Sequence, residues 1–387
     1  MFRLRFTYLF KVMMLVLLAG GIMSSCQRRH KLITQDEILL GATSVSTKAL
    51  VENKQSLIDL SYANHTGFGV FGYKTMTNKD YTYRQFNNTL VYPESNSATP
   101  TWSYSPRRYW DSDPEASYQF AAYWPLLPGA APQAGGAYVT EAEKVLTIND
   151  VPNWQEQEAG NDILVAAKRG RYKDANGQPT ADFPGNYVNF SFKHILANIV
   201  FRGYYIGIKE NPVNVLEMKL RGTNMLTSDG SADYVFPFAG QDNVTEGFTS
   251  ITNGNSTHTL LPTTSPVSLP QESWYNDNDA EPNTYVYTPI CSWLTVPSTG
   301  WQGLELVVTY SLGDLNATPA PTPIEAAPVQ IALNTTIDNV AHAGTIFPQY
   351  RYLVTLKFNS ANKGIEVESV QVAQWNEIEI NPGVYNW

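Results

Sequence analysis

Cysteine is nearly absent: the 387 residues hold two, Cys26 and Cys291. So few exclude a disulfide framework and any cysteine-rich zinc site. Charge is sparse too, at 16% of residues, and tilted to the acidic side with 26 Lys and Arg against 35 Asp and Glu. A nucleic-acid partner needs a basic face, and none is offered. The five histidines (30, 65, 194, 258 and 342) are isolated, with no HExxH and no zinc-ligand spacing. No G-x-S-x-G is present, so a nucleophile elbow has no support. No long stretch keeps a helical period, and the apolar run Val12–Ala19 is too short to span a bilayer. These absences argue against an enzyme, a metal centre and a bound cofactor.

That short apolar run instead follows Arg3, Arg5 and Lys11 and leads into Leu15–Cys26, LVLLAGGIMSSC. A charged start, a short apolar core and small residues before a break read as a secretory signal. Its last four residues, Met23-Ser24-Ser25-Cys26, resemble a bacterial lipobox, in which Cys26 becomes the lipidated first residue. Cleavage before Cys26 removes three basic residues and no acid, taking the formal charge from −9 to −12. With Cys26 carrying the lipid, Cys291 has no partner, and its run TYVYTPICSWL marks it as a small buried hydrophobe.

Aromatic residues, Pro and Gly are abundant, with 23 Tyr, 24 Pro and 26 Gly, the profile of an all-β extracellular protein. The period is two almost throughout. Tyr118, Phe120, Ala122 and Trp124 share one face, as do Val188, Phe190 and Phe192, and Leu304, Leu306, Val308 and Tyr310. Tyr350, Tyr352, Val354, Leu356 and Phe358 alternate likewise, and Ile365–Glu368 should pair back on them as a hairpin. Packed sheets bury such one-sided strands, so the expectation is two tandem β-sandwiches. The polar, Gly- and Pro-containing stretch 171–186 is the best boundary. The expected parts are a signal peptide at 1–25, a tether and removable strand at 26–48, and sandwich domains at 49–180 and 181–387.

Other motifs have a plainer reading beside the functional one. Gly67–Gly72 spells G-x-G-x-x-G, but inside an aromatic strand, where small residues let neighbouring rings pack over the backbone. The acidic run 276–281 could hold calcium, yet it lacks the Gly and distant Glu of a calcium loop and reads better as a solvated turn. Trp154, Trp274, Tyr275 and Trp301 could stack on sugars or cover the ends of a sandwich.

Two stretches carry a resemblance beyond composition. Trp102–Pro125, WSYSPRRYWDSDPEASYQFAAYWP, is preceded by FGVFGY at 68–73. Asp162–Ala166, DILVA, is followed by Val188–Phe201, VNFSFKHILANIVF. In order and spacing these resemble the fimbrillin-like (Mfa-like) family, the type V pilins of Bacteroidia. The resemblance implies two transthyretin-like sandwiches, export as an outer-membrane lipoprotein, and a structural, accessory or anchor role in a cell-surface adhesion fimbria. It implies removal of an N-terminal strand by a trypsin-like protease, for which Lys48-Ala49 is the matching bond. A neighbouring subunit's strand then fills the slot, and here the donor would be the terminal segment with Val370, Val372, Trp375, Ile378 and Ile380. Partners would be other fimbrial subunits, the outer membrane through Cys26, and a host or bacterial surface ligand. The chain departs from the pattern in the basic QRRHK at 27–31 and in Lys48 where Arg is usual; both point toward an anchor or accessory subunit. The alternative is a surface glycan-binding lipoprotein of tandem sandwiches using Trp274, Tyr275 and Trp301. Cys26→Ala should abolish metabolic labelling by a fatty-acid analogue; a mutant that still labels refutes the lipobox reading.

Overall fold

The computed structural model describes residues 36–45, 54–63, 67–76, 81–97, 99–127, 136–140, 142–157, 161–276, 286–337 and 340–375. Its first sheet has seven strands, in the order Leu39–Val45, Tyr187–His194, Leu164–Arg171, Ala116–Trp124, Phe68–Met76, Tyr81–Pro93 and Trp102–Ser103. The first two run parallel and the remaining neighbours antiparallel. Val188, Phe190 and Phe192 are buried, whereas Tyr187 and Ser191 are exposed, as the alternation in sequence requires. A one-residue slip would turn those three outward and forfeit ~1.5–3 kcal/mol for each, which fixes the register.

One face of this sheet carries an aromatic core of Phe68, Phe86, Trp110, Tyr118, Phe120, Phe183 and Phe190 with their neighbours. A Cβ at Gly72 would stand 2.7 Å from the Phe120 ring, and one at Gly69 2.5 Å from Tyr123. Those glycines are where rings cross the backbone, not a phosphate loop. The helix Lys54–Ala63 helps to cover the face: Leu57, Ile58 and Ser61 are buried, and Trp124 Nε1 donates to Ser61 Oγ at 3.1 Å. At ten residues it is too short for the sustained period by which a helix is recognised in sequence.

The opposite face, with Phe71, Tyr73 and Tyr123, packs on a four-stranded sheet ordered Gly247–Thr249, Ser231–Pro237, Val145–Pro152 and Ala137–Thr140. Tyr73 meets Phe238 just beyond it edge-on at 5.8 Å. Two six-stranded sheets then form a sandwich. One centres on Ala197–Ile206, flanked by Thr288–Thr295 and by the hairpin of Tyr350–Asn359 and Gly364–Gln374. The other centres on Val213–Leu226 and Gln302–Leu312. Tyr310 of one sheet meets Phe358 of the other at 5.8 Å.

The sheets do not divide at 180/181. Tyr187–His194 completes the first sheet, while 137–156 joins strands that come later in the chain. The turn-rich stretch 171–186 connects two adjacent antiparallel strands, and a polar surface loop has the composition of a linker. Strand Tyr350–Asn359 also differs from a one-faced strand, being buried on both faces from Arg351 to Leu356. Arg351 Nε donates to Asn198 Oδ1 at 3.1 Å and Arg202 Nε to Thr355 Oγ1 at 2.9 Å, so the covered polar groups are paired. Cys291 is half-buried, not fully enclosed; burial is the first cause that pushes its thiol pKa up, with Glu156 adding to it.

His258 is buried in the sandwich, stacked on Trp154 at 4.4 Å and edge-on to Trp293 at 4.3 Å. Burial lowers its pKa to about 4. Between about pH 6.5 and 4 the unfolded chain therefore binds the extra proton, and stability falls as pH drops through that window. Wild type should lose about 2 kcal/mol more than His258→Phe between pH 7 and 4.5, read from urea midpoints. Equal losses would show that the imidazole is not held neutral.

Candidate functional site

Strand Tyr187–His194 needs a partner on each edge, and the chain's first described residues supply one. Leu39 pairs with Tyr187, Leu40 with Val188 and Ala42 with Phe190, all in parallel. Ile38 and Leu40 are fully buried in the aromatic core. Ahead of them the segment is held from its other side as well. Glu37 bridges Tyr109 antiparallel, with Ile38 N–H donating to Arg108 O and Trp110 N–H to Asp36 O, each at 2.9 Å. Residues 36–38 thus lie in a bracket formed by 108–110, and 39–45 run on along Tyr187–His194.

Side chains close the bracket. Tyr104 O–H donates to Ile38 O at 2.6 Å and accepts from Arg108 N–H at 3.2 Å. Burial drives its pKa up to about 12, so it remains a donor. Tyr172 O–H donates to Asp36 Oδ2 at 2.5 Å; burial first, then the bond to the Asp36 carboxylate, raises its pKa. Trp110 stacks on Tyr172 at 4.8 Å, and Arg107 pairs with Glu37 at 3.0 Å. The Arg107 side chain is 71% exposed, so this pair adds little stability, and its value is in setting position.

The far end of the same strand meets the last described residue. Trp375 is buried and stacks on His194 at 4.1 Å, while His194 Nδ1 lies 2.9 Å from Asp162 Oδ1. Val370 and Val372 lie in the outermost strand of their sheet, half-buried and paired with Val354 and Tyr352 of the same chain. The expected hairpin is formed, and Ile365 and Val367 belong to it. Cys26, Lys48, Ala49, Ile378 and Ile380 lie outside the described residues. The bracket of Tyr104, Arg107, Trp110 and Tyr172 escapes sequence reasoning, although RRYW falls inside the stretch that carries the family resemblance.

The aromatic trio does not form a sugar platform. Trp301 is buried and packs on Trp154 at 5.5 Å, whereas Trp274 donates to Gly207 O at 3.1 Å beside strand Ala197–Ile206. A groove of about 390 Å³ is lined by Lys193 and Glu246, which pair with each other at 2.7 Å. Among the described residues no group of three or more His, Cys, Asp or Glu could hold a metal ion. No helix among them is long and apolar enough to cross a membrane.

Tyr104→Phe leaves Ile38 O, a buried acceptor, without its side-chain donor, at a cost of about 1–2 kcal/mol. Hydrogen exchange at the Ile38 and Trp110 amides should quicken about tenfold relative to Ala116–Trp124; uniform exchange would show that the hydroxyl does not hold the segment.

A family model described as fimbrillin-like matches residues 47–375. No curated protein matches the chain. A solved structure of a candidate cell adhesion protein from Bacteroides uniformis is 13% identical, with a TM-score of 0.48, covering 89% of this chain and 100% of that one. A fimbrial protein from Bacteroides vulgatus is 16% identical, TM-score 0.43, covering 88% and 99%. The tip fimbrial protein Mfa3 from Porphyromonas gingivalis, truncated at its C-terminus, is 10% identical, TM-score 0.34, covering 88% and 100%.

Proposed function

The chain belongs to the fimbrillin-like family, a family of fimbrial, non-enzymatic proteins of the cell surface, and on that premise we propose that it is a fimbrial subunit assembled by strand exchange. In this reading Cys26 carries a lipid that tethers the chain to the outer membrane. Cleavage at Lys48-Ala49 frees the segment before it, and that segment leaves its place beside Tyr187–His194. The observation that carries the reading is the seating of residues 36–45, with Ile38 and Leu40 fully buried at the outer edge of a sheet.

An emptied edge of this kind binds an extended strand strongly. Unpaired N–H and C=O groups along Tyr187–His194 gain a ladder of hydrogen bonds, and alternate apolar side chains refill the two vacated pockets. The donor in this reading is the chain beyond Trp375, which includes Ile378 and Ile380. Val370, Val372 and Trp375 are its stem, packed on the body from which it extends.

Deleting 376–387 tests this. The truncated chain keeps Trp375 and should unfold cooperatively as a monomer, while heat-sensitive ladders of surface oligomers disappear. A truncated chain that cannot fold, or one that still forms ladders, refutes the terminal segment as donor.

A further inference from the structure

The face of the first sheet that bears Phe71 and Tyr73 is apolar where it meets the four-stranded sheet and polar beyond it. The polar positions line up across four strands. Arg84 pairs with Tyr73, Tyr73 with Gln119 and Gln119 with Arg169, which makes one row. Two residues further out, Thr82 pairs with Thr75, Thr75 with Ser117 and Ser117 with Arg171, a second row on the same face. The segment after Ser231–Pro237 walls the first row. Phe238 meets the Tyr73 ring, Ala239 O accepts from Gln119 Nε2 at 3.3 Å, and Gly240 lies against the Arg169 guanidinium. Gly240 has a φ of +90°, and a Cβ there would collide with Arg169, so glycine lets the wall sit this close. The second row is the open floor of a ledge: Thr82 and Arg171 are exposed, Thr75 and Ser117 half-exposed.

Charge on this ledge opposes that of the chain. The sequence carries a formal −9, yet the two rows hold three arginines and no acid. Lys144 joins them, its Nζ 4.0 Å above the Tyr73 ring, with the Arg84 guanidinium 5.7 Å from the same ring. Burial, then the charge of Arg84, holds the Lys144 pKa below the usual lysine value. Asp182 accepts from the Arg171 backbone N–H at 2.9 Å but lies against Gly170, on the other face of the strand. The exposed Arg169 and Arg171 side chains have no ion pair or hydrogen bond among the described residues.

The spacing of these groups selects a ligand. Neighbouring strands lie ~4.8 Å apart, so Arg84 and Arg169 stand ~14 Å apart, and Arg171 lies ~7 Å outward of Arg169. Cations so far apart suit a polymer whose anionic groups are separated by whole sugar units. Duplex DNA places a charge every ~1.7 Å, and an acidic chain repels so dense a polyanion. Between the cations stand the hydroxyls of Thr75, Thr82 and Ser117, which both donate and accept, as sugar hydroxyls do. Thr75 Oγ1 lies 3.3 Å from Thr82 Oγ1, and Ser117 Oγ donates to Thr75 O at 3.4 Å. Bonds that long are weak and readily exchanged for bonds to a ligand.

We infer that this ledge binds an acidic polysaccharide, whose sulfate or carboxylate groups lie against Arg169 and Arg171, with Arg84 and Lys144 behind them. The inference rests on the cell-surface place of the family and not on strand exchange, so either can fail without the other.

Arg169→Gln with Arg171→Gln removes two exposed cations and no core contact. In the full-length chain held in detergent, this change should weaken chondroitin sulfate binding about tenfold and flatten its dependence on salt. Lys219→Gln with Arg221→Gln removes the same charge from another sheet and should leave binding within about twofold of the parent. Thr82→Glu sets a carboxylate on the floor while keeping both arginines, and should weaken binding as much as the first pair. Equal melting temperatures check that each variant is folded. Uncharged dextran should not bind. Hyaluronan, which carries carboxylates alone, separates the two anionic groups: equal binding assigns the carboxylate, and binding of the sulfated chain alone assigns the sulfate. The inference is overturned if the parent binds neither acidic polysaccharide, or binds dextran as well. It is also overturned if the Lys219 and Arg221 pair costs as much as the ledge pair, if Thr82→Glu binds like the parent, or if duplex DNA binds more tightly than either polysaccharide.

Discussion

Everything in the first sheet depends on strand Tyr187–His194 having a partner on its outer edge. Its inward side chains close the aromatic core, and its outer backbone groups can be satisfied only by another strand or by water. Water at that edge would also reach the pockets of Ile38 and Leu40, which lie under the same segment. The backbone ladder and the apolar seal are therefore won or lost together. That coupling makes the edge discriminating: a strand that pairs but carries no aliphatic side chains at the two pocket positions leaves the core open.

The rest of the fold makes that edge rigid. Phe68, Phe120 and Phe190 pack at ring angles that leave little room to shift, and the glycines at 69 and 72 let rings approach the backbone. A four-stranded sheet supports the first sheet from the opposite face. At the far end of the same strand, Trp375 is stacked on His194. One strand thus holds the seat of residues 39–45 along its edge and Trp375 at its far end.

Much of the architecture was legible because alternation is a local property. Strands 118–124, 187–193 and 304–310 bury the faces that their residue order assigns. Arg351 and Thr355 read as solvent-facing because a polar residue buried with a partner has the same letter as an exposed one, and the partners Asn198 and Arg202 lie 153 residues away. The helix Lys54–Ala63 was too short to announce itself. Cys26 and Lys48-Ala49 are proposed from sequence alone, because lipidation and cleavage signals are short linear motifs, and both lie outside the described residues. The bracket is not legible in the sequence, because its contacts join Tyr104 to Ile38 across 66 residues and Tyr172 to Asp36 across 136.

Residues 36–38 are paired on one side by 108–110, and the segment continues along Tyr187–His194 on the other. A pull along the axis of such a segment loads its backbone bonds together, in shear, and the side chains in their pockets resist the sliding. A sideways pull would break the bonds one after another, and here the bracket blocks that path at the leading end. Any strand held in this seat, whichever chain it comes from, would therefore bear far more tension lengthwise than its few hydrogen bonds suggest when counted singly. A filament built through such seats would be strongest in the direction in which flowing liquid drags on a tethered cell.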